Sequence, residues 1–277
     1  MKIFVFGLDG LEYDLVEKWD LTCLKQLEYG KTVVPINDKT NHPFSPEVWG
    51  TFLLGKHEIV SATGSHHPLS MFLRSLKFLR KHIQLSLGLG RKVLHAMPVK
   101  WWGGLEYGIP SSQKTFLDLT KSKAINAPFY GNDCYSFIIM QRFNAGELSL
   151  QQTAEAYQKL YMERKNLILR EVEKIRDEDV VFAFMHFPDI LQHFLFTKPV
   201  KIKKHYFDLN NYVRTLKRKI DADVTFLIVS DHGFDLKTGT HSEHGFYSCN
   251  KHLDPKPEQI TDFFKIIINE SNAPNRT

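Results

Sequence analysis

Asp231 and His232 close the apolar run Phe226-Leu-Ile-Val-Ser230, and Gly233 follows them. A carboxylate gives a hard oxygen ligand and an imidazole a borderline nitrogen, a mixture that suits zinc or manganese. Gly233 permits a sharp turn that leaves both side chains at one spot. His241 and His244 return to the same edge shortly afterwards. Asp9 closes a second apolar run, Lys2 to Leu8, and Asp189 follows a third, Asp179 to His186. His193 stands four residues beyond Asp189, which on a helix places the two side chains on one face a turn apart. Three carboxylates (Asp9, Asp189, Asp231) and three imidazoles (His193, His232, His244) are enough for two metal ions, with one position left to a serine or water. Two such ions about 4 Å apart can clamp the attacking and leaving oxygens of an in-line phosphoryl displacement. Ser45 supplies the hydroxyl, as an N-cap before Pro46 and an apolar stretch of helical spacing. Backbone N–H groups at such a terminus favour a phosphate, and a metal would lower the hydroxyl pKa so that it can attack.

These residues need a scaffold that brings distant strand ends to one edge. Continuous apolar runs at Lys2–Leu8, Asp179–His186 and Phe226–Ser230 read as buried parallel strands. Leu11 to Glu28 has helical spacing with Gly30 as its C-cap, and Thr32 to Ile36 reads as a further strand. Ser149 opens a long helix with a Ser-x-x-Gln capping box to Gln152 and an apolar face from Tyr157 to Ile175. The Lys-rich segment Lys198 to Ile220 is a second helix. Helix alternating with strand is the rhythm of parallel crossover units. The expectation is an α/β protein, a three-layer α/β/α sandwich with a mainly parallel sheet and the site at its carboxyl edge.

Less patterned stretches lie between. Met71 to Leu87 is basic and amphipathic, a surface helix or a contact for an anionic membrane. Arg91 to Met97 reads as a strand, and Trp101-Trp102 as a core corner or a substrate-facing platform. Leu105 to Phe143 reads as loops with short elements. The whole chain, 1–277, reads as a single catalytic domain in which about 64–144 forms a small cap that selects substrate. The net charge of +5 suits an anionic substrate without demanding nucleic acid. No apolar run approaches the roughly 18 residues of a membrane span. The polar-interrupted start and three scattered cysteines point to a cytoplasmic protein with neither a disulfide framework nor a cysteine-type zinc site.

Four separated motifs resemble the alkaline phosphatase superfamily, in its branch of type I phosphodiesterases and nucleotide pyrophosphatases. Gly7-Leu-Asp-Gly10 is similar to the opening strand with its first aspartate. Phe44-Ser-Pro-Glu-Val-Trp-Gly-Thr-Phe-Leu-Leu-Gly55 is similar to the nucleophile segment, and Asp189-Ile-Leu-Gln-His193 to the Asp-x-x-x-His pair. Ser230-Asp-His-Gly-Phe234 with His244-Gly-Phe-Tyr is similar to the last ligands. The resemblance implies an alkaline phosphatase-like fold and two divalent ions, zinc first with manganese or magnesium as alternatives. It implies that Asp9, Ser45, Asp231 and His232 hold one ion and that Asp189, His193 and His244 hold the other. His244 is preferred to His241 because a glycine and an aromatic follow it. The Ser45 alkoxide would attack phosphorus and form a phosphoserine or nucleotidyl-serine intermediate. The implied activity is hydrolysis of a phosphodiester or pyrophosphate bond in a small phosphorylated substrate.

The chain departs from the pattern at Glu47, where a second proline is usual, at Leu54, where a threonine is usual, and at Val48, where nucleotide-cleaving relatives carry asparagine. Sulfatase chemistry lacks its Cys-x-Pro-x-Arg pattern around Ser45, and no Gly-x-Ser-x-Gly elbow is present. Competing readings are a phosphomutase, phosphotransferase or phosphomonoesterase of the same superfamily, and a non-catalytic protein that binds an anionic partner through Arg74–Lys100 and Lys198–Lys219.

Overall fold

Three apolar runs form the middle of the sheet because both of its faces are covered. In the computed structural model, which describes residues 1–57, 108–131, 135–175 and 177–273, every residue of the strands β1 (Ile3–Leu8), β4 (Val180–Met185) and β5 (Thr225–Ser230) is buried. Between β1 and β4 lie helices α1 (Tyr13–Lys18) and α2 (Thr22–Lys25), strand β2 (Glu28–Val33) and helix α3 (Ser45–Leu54). Further on come α4 (Phe116–Leu119), β3 (Ser122–Ile125), α5 (Tyr135–Asn144) and α6 (Leu150–Val172). After β4 follow α7 (Asp189–Leu195) and α8 (Pro199–Lys219). After β5 come β6 (Gly233–Asp235), β7 (Thr240–Ser242), β8 (His244–Cys249) and α9 (Asp262–Asn272).

The six-stranded sheet has the order β2-β8-β5-β1-β4-β3. β1 pairs in parallel with both β4 and β5, and β3 extends the parallel set beyond β4. β8 and β2 are antiparallel additions at the other side. Alternation along the strands divides the core in two. Phe4, Phe6, Leu8, Val181, Ala183 and Ile228 face one layer with residues of α6, α7 and α8. Ile3, Val5, Phe182, Phe184, Leu227 and Val229 face the other, with α3, α4 and α9. This is the expected three-layer α/β fold. Because β1, β4 and β5 run parallel, their carboxyl ends share an edge, where Asp9, His186 and Asp231 follow.

The local expectations fare unevenly. The capping box of Ser149 and Gln152 is present, and the two long helices lie where their patterns place them. The stretch Leu11 to Glu28 instead holds two short helices, interrupted where Asp20 takes a positive φ of 47°. Gly30 lies inside β2, facing Tyr247, and caps no helix. Thr32 and Val33 close that strand, which begins earlier than its sequence suggests. Residues 115–131 and 135–144 add the edge strand β3 and its flanking helices; 64–107, with Met71–Leu87, Arg91–Met97 and Trp101-Trp102, lie outside the described residues. Among the described residues no helix is long and apolar enough to cross a membrane.

Candidate metal centre

Each chemically capable residue stands at an element boundary that the fold brings to the carboxyl edge. β1 ends at Leu8, and Gly10, with a φ of 73°, turns the chain so that Asp9 stays at the strand tip. The turn is locked against α7. Asp189 N donates to Asp9 O at 2.9 Å, and a Cβ on Gly10 would fall 2.6 Å from Asp189 Cβ. Asp231 and His232 follow β5 directly, and Gly10 N donates to Asp231 Oδ1 at 3.3 Å. The buried Ser230 hydroxyl adds a second tie: it accepts from Leu11 N at 2.8 Å and donates to His232 O at 2.9 Å.

Ser45 is the first residue of α3, where an N-cap was expected; Phe44 holds the cap position without a side-chain bond. The serine hydroxyl is therefore not used by the helix. Its Oγ lies 3.3 Å from Asp9 Oδ1 and 3.1 Å from His232 Nε2. The expected phosphate cradle in the first turn is reduced. Pro46 has no N–H, and the N–H groups of Glu47 and Val48 both donate to Phe44 O, at 2.8 and 3.0 Å.

Two groups of ligand atoms result. Asp9, Asp231 and His232 each offer one atom within 4.8 Å of the others, and so do Asp189, His232 and His241. His193 joins the second group, its Nε2 3.1 Å from His241 Nε2 and 3.3 Å from Asp189 Oδ1. His244 is not in it. Its Nε2 lies 3.2 Å from Glu12 Oε1, at the start of β8, whereas His241 lies beside Asp189 and His232. The reason is the hairpin that follows Gly233. β6 and β7 pair with Phe234 opposite His241, so His241 stacks on His232 with ring centroids 3.7 Å apart. Asp235 bonding to Lys237 N and Gly239 at a φ of 74° form the turn. An Asp and a Gly four residues apart, beyond a strand end, were the sequence signal for that hairpin.

The donors fit cations. Among the described residues, the buried oxygens Asp231 Oδ2 and Asp189 Oδ1 have no well-formed hydrogen-bond partner. The imidazole nitrogens of His232 and His193 lie 3.4 Å from Asp231 Oδ2 and 3.3 Å from Asp189 Oδ1. A buried carboxylate oxygen left unpaired is costly, and a metal ion satisfies it. The imidazoles are set for the same task. His232 Nδ1 faces Gly233 O at 2.9 Å and His241 Nδ1 faces Pro43 O at 3.0 Å, which directs each Nε2 inward.

Electrostatics mark the centre as crowded with negative charge. Burial raises Asp231, and the charge of Asp9 raises it further, so its carboxyl sits well above the usual range. Burial also works on Asp9, but hydrogen bonds from His186 and His232 outweigh it and hold that carboxyl far below normal. His232 would lose its charge by burial; Asp231 and Asp9 beside it instead push its pKa up. Two buried carboxylates and an imidazole thus shift one another's protonation, and a bound cation would offset the negative charge that drives those shifts. His193 is raised, its burial outweighed by Asp189, whereas burial and the charge of His232 lower His241.

Sequence reasoning missed His186, Glu12 and Gln192. His186, at the end of β4, lies with Nδ1 3.2 Å from Asp9 Oδ2. Gln192 on α7 donates to Gly10 O at 2.7 Å. His186 was readable as the residue closing the third apolar run; Glu12 and Gln192 carry no signal before the fold is known.

No protein-family model matches this chain, and no curated protein matches it in sequence. Solved structures do match in fold. The PH0037 protein from Pyrococcus horikoshii superposes with a TM-score of 0.54 at 14% identity, over 100% of this chain and 98% of its own. BT1596, a 2-O GAG sulfatase, gives 0.54 at 8% identity over 100% and 71% of the two chains. Ps i-CgsB, solved with k-i-k-neocarrahexaose, gives 0.50 at 12% over 99% and 72%. The chain therefore has the mixed α/β fold found in a sulfatase, with its central sheet mostly parallel.

Proposed function

We propose that this protein is a metal-dependent hydrolase of phosphate esters, acting on a phosphodiester or pyrophosphate bond with Ser45 as nucleophile. The observation that carries the reading is the position of Ser45 Oγ, within 3.3 Å of two members of one ligand group, Asp9 and His232. Asp9, Asp231 and His232, with Ser45, would hold one divalent ion; Asp189, His193 and His241 would hold the other. Bound there, zinc, manganese or magnesium would supply Lewis acidity and favour the alkoxide form of a neighbouring hydroxyl. The chain itself does the rest. α3 fixes the serine at the edge, unencumbered by capping. Asp9 Oδ1 accepts from its hydroxyl at 3.3 Å, which holds the oxygen beside the ligand group. The Gly10–Asp189 contact keeps the two groups adjacent, so attacking and leaving oxygens can be held together.

The fold is shared with a sulfatase, but Ser45-Pro46-Glu47-Val48-Trp49 lacks the Cys-x-Pro-x-Arg pattern, which favours phosphate over sulfate. The segment 64–144 is the proposed substrate-selecting part. The test uses metal-stripped protein reloaded with zinc, manganese or magnesium. Bis(p-nitrophenyl) phosphate, p-nitrophenyl phosphate and p-nitrophenyl sulfate are compared, with Ser45→Ala as control. Metal-dependent diester cleavage that disappears in the variant is expected. Preference for the monoester would move the protein to a phosphatase or mutase, and cleavage of the sulfate alone would overturn phosphate chemistry.

A further inference from the structure

Glu12 is a buried carboxylate that takes no part in either ligand group, and it is held by the hairpin that carries His241. Its Oε2 accepts from Phe234 N at 2.8 Å and from the Ser242 hydroxyl at 2.6 Å. Its Oε1 accepts from Asp14 N at 2.9 Å and lies 3.2 Å from His244 Nε2. One carboxylate thereby ties both strands of the hairpin, β6 through Phe234 and β7 through Ser242, together with the first residue of β8. His241 is paired across from Phe234 and precedes Ser242. Gly233 shows how close this grip is, since a Cβ there would fall on Glu12 Oε2.

The backbone of Glu12 is anchored on the opposite side. Its N–H donates to Tyr206 Oη at 3.0 Å, Tyr206 donates to Gln192 Oε1 at 2.7 Å, and Gln192 donates to Gly10 O at 2.7 Å. All four residues are buried or at a strand tip. The chain of bonds runs from α8 through α7, which bears Asp189 and His193, to the turn that bears Asp9. Glu12 therefore joins a base shared by both ligand groups to the short hairpin, which together with Pro43 O sets His241.

We infer that Glu12 is a positioning residue for the second ion: it clamps the hairpin so that His241 meets Asp189 and His193, and His244 serves that clamp and is not itself a ligand. The inference rests on the metal-centre reading above and adds to it the device that assembles the more exposed half. Phe234 belongs to the same arrangement, its ring edge-on to His193 at 4.9 Å.

The test reads metal binding and needs no substrate. Cobalt is titrated into metal-stripped full-length protein, with visible absorption reporting ligand geometry. Wild type is expected to take two equivalents. Glu12→Gln, folded by circular dichroism and melting, is expected to weaken one equivalent about tenfold or more and to alter its spectrum, in line with the usual cost of losing an outer partner. His241→Ala should weaken the same equivalent, and the double variant should lose little more than His241→Ala alone. If Glu12→Gln does not fold, Ser242→Ala and His244→Gln each remove one contact and should shift that same equivalent. Folded variants that bind both equivalents as wild type does would overturn the clamp alone. So would losses that multiply in the double variant. His244→Ala abolishing an equivalent whose spectrum His241→Ala leaves intact would return His244 to the ligand set. Failure of wild type to bind cobalt would instead overturn the metal reading, and the clamp with it.

Discussion

The two ligand groups are neighbours with opposite settings. Asp231 and His232 are completely buried, and Asp9 nearly so, at the tips of two central parallel strands. In the other group the His193 side chain is 36% exposed and that of His241 21%, and they sit on a short helix and a hairpin of three-residue strands. The first group inherits its geometry from a sheet whose strands cannot shift without exposing the core. The second depends on local ties such as the one at Glu12. Burial also sets their charge behaviour. In the buried group Asp9 is lowered while Asp231 and His232 are raised; in the outer one Asp189 outweighs burial to raise His193, and burial lowers His241.

If burial is what separates the groups, equivalent substitutions should differ in cost. Asp231→Asn should remove one ion and lower diester turnover by about a thousandfold or more, beyond rescue by added metal. His193→Asn should lower metal affinity by roughly 10- to 100-fold, with turnover regained at high metal concentration. Equal losses, both rescued, would erase the distinction. Chelation sharpens it kinetically. Excess chelator should strip the outer ion first and the inner one at least about tenfold more slowly, because release of the buried ion leaves carboxylates in low dielectric. A single phase releasing both ions, followed by absorption of a metal indicator, would contradict this.

A smaller effect concerns pH. Without metal, Asp231 and His232 both bind protons more tightly in the folded chain than in the unfolded one. Their contribution is complete below the unfolded pKa of each and is lost as pH rises through the raised values. Between about pH 6 and 9 the folded state holds more protons than the unfolded, so stability falls with rising pH. The melting temperature of stripped protein should therefore drop across that range, and a bound divalent ion should flatten the trend. Melting curves rising with pH in the stripped protein would show that those raised values are absent.

The same contrast explains what could be read before the fold was known. β1, β4 and β5 are legible because central parallel strands, buried on two faces, are near-continuous apolar runs, and their ends mark Asp9, Asp189 and Asp231. Ser45 was legible from Pro46 and the spacing behind it, although its role as a cap was not retained. β2 and β8 were poorly legible because edge and antiparallel strands mix polar and apolar residues; β2 contains Glu28, Gly30 and Lys31. The exchange of His241 for His244 has the same origin. A glycine and an aromatic after His244 describe a strand, β8, whereas nearness to Asp189 and His232 is decided by hairpin register, which pairs His241 with Phe234. Spacing along the chain cannot express a contact set by pairing across it, and the clamp at Glu12 was invisible for that reason.

The closeness of Gly10 to Asp189 carries a last consequence. Main chain rests on main chain there, with Asp189 N bonded to Asp9 O and no volume for even a methyl group. The interval between the elements that carry the two halves is thus set by the backbone, like the gap in a machined gauge. Ions of different radius held there would have to adapt their coordination to that interval, so metal preference would become a matter of fit to a span and not of ligand type alone.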